Sequence, residues 1–336
     1  MIKILFVFLV CVCSWDVAMA SGGNIGTHDD RRPGSLEHPD YRGVVKLDLD
    51  YTRCTGVFID KDLILTNNHC ADDCYANCTG EFWDGTKYVT ARLKPLFTHK
   101  TYKTLDGNDW SILSSDIPNS FYRTITPQTV IGEVIRGGYG TLRIIKDEEI
   151  PKLRQIYADV TREYDAKCTQ ADSYVDCINE YFNQRLIANN IKPVFGDINN
   201  FKVQKCKILG DYPNHNKMVR TTCDSAGGDS GAPYLRAGNI VALNNSGPAN
   251  IFNDDNIGAN GVKTENFYES AKAIITQNRA NNANNYSRPP KPVTSTDPND
   301  QTPPVAFVDS DGDQVVDGEA NYNEMLQNRF SRFDCD

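Results

Sequence analysis

From Val44 to about Leu142 the apolar residues come in runs of strand length, each closed by turn residues, and this limits what the chain can fold into. "GVVKLDLDY", "TGVFIDKDLILT", "YVTARLKPLF" and "DWSILSSD" are rich in branched and aromatic residues and too short for globular helices. The pattern breaks once. Ile150, Leu153, Ile156, Tyr157 and Val160 fall at helical spacing, as do Val175, Ile178, Tyr181, Phe182 and Leu186. A helical hairpin over about 148–192 is therefore expected as an insertion. Cys168 and Cys177 lie in and beside the polar gap between its two runs, which suits a disulfide across the turn. Strand-like runs resume at "KPVFG", "FKVQKCKIL", "APYLRAG" and "NIVALNN". "TENFYESAKAIITQNRA" reads as a helix opened by Thr264, with Phe267, Ala271 and Ile274 on one face. The fold class is mainly β.

The two ends have a different character. Lys3, the apolar stretch Ile4 to Cys13 and the small residues Ala18-Met19-Ala20 make residues 1–20 a secretory signal peptide, cut after Ala20. No other run approaches the length of a membrane span, so a soluble, secreted protein is expected. Loss of the signal removes Cys11 and Cys13 from eleven cysteines. In an exported chain the rest default to disulfides, with one left over. Cys70, Cys74 and Cys78 beside His69 raise zinc as an alternative that export disfavours. At the other end, 281–304 is rich in Asn, Pro, Ser and Thr and reads as a linker to a tail, 305–336. The tail carries "DSDGDQVVDGE", which resembles short calcium loops of the EF-hand, dockerin and thrombospondin type 3 kind. Asp309, Asp311 and Asp313 would supply side-chain oxygens, Val315 its carbonyl, and Asp317 a ligand directly or through water. Gln314 stands where such loops usually carry Gly, and Glu319 falls one position early. The net charge of −9 argues against a nucleic-acid partner.

One stretch points to chemistry. In "CDSAGGDSGAPYL", residues 223–235, Ser230 lies among Gly227, Gly228 and Gly231. Such a run makes either a polar turn or a loop whose N–H groups are free to face a reacting atom. A serine nucleophile needs a base, and the base needs an orienting partner. Of five histidines, His28 and His38 precede the first clear strand, and His99 and His215 sit in polar loops. His69 instead ends the apolar run "CTGVFIDKDLILTNNHC", bracketed by Cys54 and Cys70. A bond between these cysteines would fix its loop against a neighbouring strand. Asp109, at the mouth of the run in "LDGNDWSILSSD", is the matching carboxylate. The order His69, Asp109, Ser230 recurs among triads on unrelated folds.

Together "CTGVFIDKDLILTNNHC", "NDWSIL" and "CDSAGGDSGAP" resemble the histidine, aspartate and serine motifs of trypsin-like (chymotrypsin-fold) serine proteases. The resemblance covers roughly residues 24–280. "NIGTHDDRRPG" is similar to the mature N-terminal segment of the bacterial branch that includes the glutamyl endopeptidases. The resemblance implies two antiparallel Greek-key β-barrels over 21–280, with a catalytic cleft between them and a C-terminal helix. Ser230 would attack a scissile carbonyl, His69 would act as general base and acid, and Asp109 would orient the imidazole. The N–H groups of Gly228 and Ser230 would form the oxyanion hole. Asp229 matches the buried aspartate that pairs, in relatives, with a new N-terminal amine. Asp224, Ser225 and Asn244 fall at specificity-pocket positions. Asp224 matches a trypsin-like pocket aspartate, whereas Asn244 replaces the histidine expected for Glu specificity, which leaves the preference open. Arg32 precedes Pro33, a poor bond for tryptic processing. Proximity and resemblance pair Cys74 with Cys78 and Cys206 with Cys223. A monomer acting on protein or peptide substrates is expected, needing no catalytic cofactor, with structural Ca2+ in the tail. Two rival readings stand beside it: an inactive protease-fold binding protein, and an adhesion or assembly protein acting through its tail.

Overall fold

The computed structural model describes residues 25, 28–100, 107–171, 174–196, 200–245, 252, 258–286, 307–308 and 314–315. After a two-residue strand β1 (Arg32–Pro33), the first half contributes β2 (Val44–Asp48), β3 (Arg53–Asp60) and β4 (Leu63–Thr66). A single helical turn α1 (Asn68–Ala71) precedes β5 (Thr79–Trp83), β6 (Tyr88–Phe97) and β7 (Ser111–Ser115). These strands close into an antiparallel barrel in the order β2-β3-β4-β7-β6-β5. Val45, Leu47, Phe58, Ile64, Phe82, Leu93 and Leu113 fill it. The Phe58 and Phe82 rings meet edge to face at 4.8 Å, a preferred aromatic geometry.

The second half repeats the plan. It comprises β8 (Gly132–Gly138), then helices α2 (Ile150–Cys168) and α3 (Tyr174–Ala188), then β9 (Lys202–Tyr212) and β10 (His215–Thr221). β11 (Pro233–Arg236), β12 (Asn239–Asn244) and β13 (Asn260–Lys263) follow. A 3-10 turn over Thr264–Asn266 leads into α4 (Tyr268–Tyr286). The strands are linked as β9-β10-β13-β12-β11-β8, and pairing of β8 with β9 closes the ring, with β1 added to β9. Both barrels thus join their six strands in the same Greek-key order, the expected architecture. The chain divides into residues 1–272, which hold both barrels, and 273–336, where short strands β14 (Phe307–Val308) and β15 (Gln314–Val315) pair antiparallel. Among the described residues no helix is long and apolar enough to cross a membrane.

The helical hairpin forms where helical spacing predicts it. Pro151 sits in the first turn of α2, where its missing N–H costs nothing, and Cys168–Cys177 ties the two helices. Leu153, Tyr157, Val160, Ile178, Phe182 and Leu186 bury a core of their own, shared with Ile25, Leu142, Ala226 and Phe252. The insertion is thereby packed onto the loop that leads to Ser230. Phe182 is fully buried, with its ring edge to face against Tyr157 and Phe252. Phe182→Ala should destabilise the fold by about 3–5 kcal/mol, read as a lower denaturant midpoint.

Two boundaries differ from the sequence reading. "KPVFG" forms no strand and makes only the bridge Leu142–Phe195. Asn183, on α3, accepts the N–H groups of Val194 (3.1 Å) and Phe195 (3.3 Å), so a side chain takes the bonds a ladder would need. Helix α4 also runs through Tyr286, six residues into the segment read as linker. No proline interrupts that stretch before Pro289, and its Asn and Ala residues are compatible with helix.

Candidate active site

Strand β4 delivers His69 to α1, and the disulfide Cys54–Cys70 anchors that turn to β3. Asp109, fully buried, lies just before β7. Its carboxylate accepts the His69 backbone N–H at 2.9 Å and faces His69 Nδ1 at 2.7 Å. An ionised carboxylate only accepts, so Nδ1 carries the proton and Nε2 keeps its lone pair. Asn67 Nδ2 donates to the Asp109 carbonyl at 2.7 Å and clamps the two segments together. His69 Nε2 is buried and has no hydrogen-bond partner among the described residues. Burial, the largest single influence, lowers the affinity of His69 for its second proton. The charge and hydrogen bond of Asp109, together with the charges of Asp73 and Asp72, outweigh it, so the pKa lies above the ordinary histidine value. The sulfurs of Cys54 and Cys70 lie close to the imidazole, but they are bonded to each other, which removes them as zinc ligands. Cys74 and Cys78 are likewise paired, as are Cys206 and Cys223.

The Ser230 loop is fixed from within. Thr141 N–H donates to the Gly227 carbonyl (2.6 Å), and Thr55 Oγ1 to the Gly228 carbonyl (2.8 Å). The Asp229 carbonyl accepts from Asn244 Nδ2 and Ala232 N–H, each at 3.0 Å. In a trans peptide the N–H points opposite its C=O. With the carbonyls of 227 and 229 turned inward, the N–H groups of Gly228 and Ser230 are directed away from these donors. Gly228 has φ +94°, and a Cβ there would collide with the Tyr139 carbonyl, so only glycine suits the position. The Ser230 carbonyl accepts from Thr55 N–H at 2.8 Å, which seats the serine beside Cys54, the disulfide partner of Cys70. Ser230 Oγ itself donates to the Asn245 carbonyl at 3.1 Å rather than to His69.

The remaining sequence-selected positions are spent internally. Asn244 donates to the Asp229 carbonyl and Ser225 Oγ, and accepts from the Tyr234 hydroxyl and Arg136 Nη1. Its whole hydrogen-bonding capacity is used. Asp224 is buried, with Oδ2 accepting the Asp30 N–H at 3.0 Å. Burial pushes its carboxyl well above the usual carboxylate range, against the opposing charge of Arg31. Asp229 faces Arg136, which sequence reasoning missed. The alternation of inward residues Val134, Arg136 and Gly138 along β8 was the available signal, because a charge at a core position demands a partner. The N-terminal segment was also under-read. Asp29 and Arg31 form a buried ion pair at 2.8 Å, and Arg31 bonds the Arg143 carbonyl while Asp29 accepts the Ile145 N–H. Of the expected calcium ligands, Asp309, Asp311, Asp313 and Asp317 lie outside the described residues, as does Cys335; Val315 lies in β15.

A family profile described as trypsin matches residues 33–264, about two thirds of the chain. The chain belongs to the trypsin family. This makes it a serine protease by family, and both barrels have the form that the trypsin-like resemblance implies. Among solved structures it is similar to neuropsin, a serine protease expressed in the limbic system of mouse brain. The identity is 13%, the match covers 73% of this chain and 99% of that one, and the TM-score is 0.49. A search of curated proteins gave no match.

Proposed function

We propose that this trypsin-family protein is a secreted endopeptidase that cleaves peptide bonds through His69, Asp109 and Ser230 by way of an acyl-enzyme. The observation that carries the reading is the His69–Asp109 pair, in which a buried carboxylate holds both Nδ1 and the backbone N–H and leaves Nε2 without a partner. The reading requires the Ser230 hydroxyl to leave the Asn245 carbonyl and donate to Nε2 when substrate binds. Apo geometries of this kind are often loose and tighten with substrate. As Ser230 Oγ bonds to the scissile carbon, the proton passes to His69 and the carbonyl electrons move onto oxygen. The N–H groups of Gly228 and Ser230 take up that oxyanion, each worth about 3 kcal/mol. Imidazolium, stabilised by Asp109, then protonates the leaving amine, and water repeats the sequence to release the acid.

The pocket residues favour an uncharged side chain on the substrate. Asp224 is capped by the Asp30 N–H and lies close to Arg31, which leaves little attraction for a substrate cation. Asn244 has no free donor for a substrate carboxylate. Export follows from the N-terminal signal and agrees with four disulfides. A fluorophosphonate probe tests the reading directly: one adduct is expected, on Ser230 by peptide mapping. A folded protein that takes no label would point instead to the inactive binding-protein alternative. Cleavage of a mixed peptide library should show uncharged residues preceding the cut.

A further inference from the structure

A cleft of about 970 Å³ opens between the first barrel, β9 and the base of the hairpin, which is the size of a ligand site. Its aromatic wall is Tyr88, Tyr139 and Phe201, and the rings of the last two meet at 5.2 Å. Most charges around it are already committed. Arg143 holds both oxygens of Glu149, at 2.8 and 3.0 Å, and Lys146 faces Glu148. Lys202 Nζ is turned onto the Gly140 carbonyl at 2.8 Å. Lys46, opposite Glu81 across the β2–β5 ladder, is paired with Asp48. Two charges are left over. The side chains of Glu81, on β5, and Lys192, after α3, line the cleft with neither a hydrogen bond nor an ion pair among the described residues.

Tyr139 is an independent sign of a ligand. It is 4% exposed, yet its hydroxyl has no hydrogen-bond partner among the described residues. Buried polar groups are seldom left so. Burial, then the charges of Glu81 and Tyr88, push the phenol above the ordinary tyrosine value. The hydroxyl therefore lies toward those two cleft residues and stays a neutral O–H. A carboxylate beside aromatic faces suits a basic side chain, and a lone ammonium suits a carboxylate. A ligand of one sign would meet either Glu81 or Lys192 as a like charge.

We propose that this cleft binds a dipolar stretch of polypeptide, with a basic side chain against Glu81, Tyr88 and Tyr139 and a carboxylate against Lys192, and that its occupation is transmitted to the Ser230 loop. The path is short. Tyr139 N–H donates to Thr55 Oγ1 at 3.1 Å, and that hydroxyl donates to the Gly228 carbonyl. Thr141 N–H donates to the Gly227 carbonyl at 2.6 Å. The Tyr139 carbonyl lies against Gly228 so closely that a Cβ there would collide with it. A ligand that orders residues 139–141 thereby orders what holds the carbonyls of 227 and 228. Binding does not rest on the endopeptidase reading; only its effect on turnover does.

The test uses full-length Ser230→Ala protein, which cannot cut the probes. These are blocked peptides with one lysine and one glutamate, in either order, separated by one to four glycines. Calorimetry should show the best of them binding about tenfold tighter, or more, than the same peptide with glutamine at either charged position. If no spacing exceeds these controls, the dipolar site does not exist. With the best probe, Glu81→Gln and Lys192→Gln should each cost about tenfold in affinity, and Tyr139→Phe about threefold. Unchanged affinity in the first two would overturn the assignment to this cleft. Hydrogen exchange on peptides covering 138–142 should slow at the Tyr139 and Thr141 amides when the probe is bound. The same probe should raise kcat of the parent on a small uncharged peptide severalfold. Unchanged exchange, or unchanged kcat in an active parent, would overturn the coupling. If binding and exchange behave as expected while the parent shows no turnover, the cleft assignment stands and the endopeptidase reading fails.

Discussion

Ser230→Ala should abolish peptide hydrolysis while leaving a folded protein. The expected loss in kcat is roughly a millionfold, as for removal of the nucleophile in other Ser-His-Asp proteases, because no other group in the site can form the acyl-enzyme. The fold should tolerate the change. Ser230 Oγ contributes one hydrogen bond, to the Asn245 carbonyl, worth about 1 kcal/mol net. The loop is otherwise held by main-chain and side-chain bonds that alanine leaves intact: Thr55 N–H to the 230 carbonyl, Thr141 N–H to 227, and Asn244 Nδ2 to 229. Purified variant and parent should therefore melt within a few degrees of each other and differ only in turnover. Hydrolysis within tenfold of the parent, with wild-type contamination excluded by mass spectrometry, would remove Ser230 from the chemistry.

Much of this could be read before any coordinates, and the reason is local. A strand that ends in a histidine between two cysteines, or a serine among three glycines, states its constraint within a dozen residues. The hairpin was equally legible, since helical spacing and a disulfide across the gap are both short-range signals. What escaped was non-local. Arg136 has meaning only because β8 faces Asp229, ninety-three residues later in the chain. Asn244 looked like a pocket residue because its position along β12 matched one; its amide is exhausted by Asp229, Ser225, Tyr234 and Arg136, a fact that spacing does not carry. The failure of "KPVFG" to form a strand has a nearer origin that spacing still does not carry, because Asn183 on the preceding helix α3 takes the N–H groups of Val194 and Phe195. Asp224 is the sharpest case. Its place in sequence matched a substrate-binding carboxylate, yet the N-terminal segment folds back to cap it.

Asp109→Asn should combine a large rate loss with a displaced pH profile. In the parent, burial acts to lower the His69 pKa, and the Asp109 charge and hydrogen bond, with Asp73 and Asp72, overcome it. Catalysis needs neutral His69, so the acid limb of kcat/KM should lie above the ordinary histidine value of about 6.5. The stability linkage has the opposite sense. A folded-state pKa above the unfolded one means that the protonated imidazole stabilises the fold fully below the unfolded value. That contribution is lost as pH rises through the folded value, so His69 adds least where the enzyme is most active. Asparagine at 109 removes the charge and leaves burial dominant, which should carry the acid limb to lower pH. It also supplies an N–H that can face Nδ1. Imidazole would then accept there and carry its proton on Nε2, where it cannot receive the Ser230 proton. The expected loss in kcat is about ten thousandfold, the figure established for this exchange in trypsin-family triads. Asp73→Asn, which removes a more distant charge, should move the limb in the same direction by less and leave kcat at high pH nearly intact. A limb that stays in place in both variants would mean that these carboxylates do not set the protonation of His69, and an Asp109→Asn enzyme of near-parental kcat would exclude Asp109 as its orienting partner.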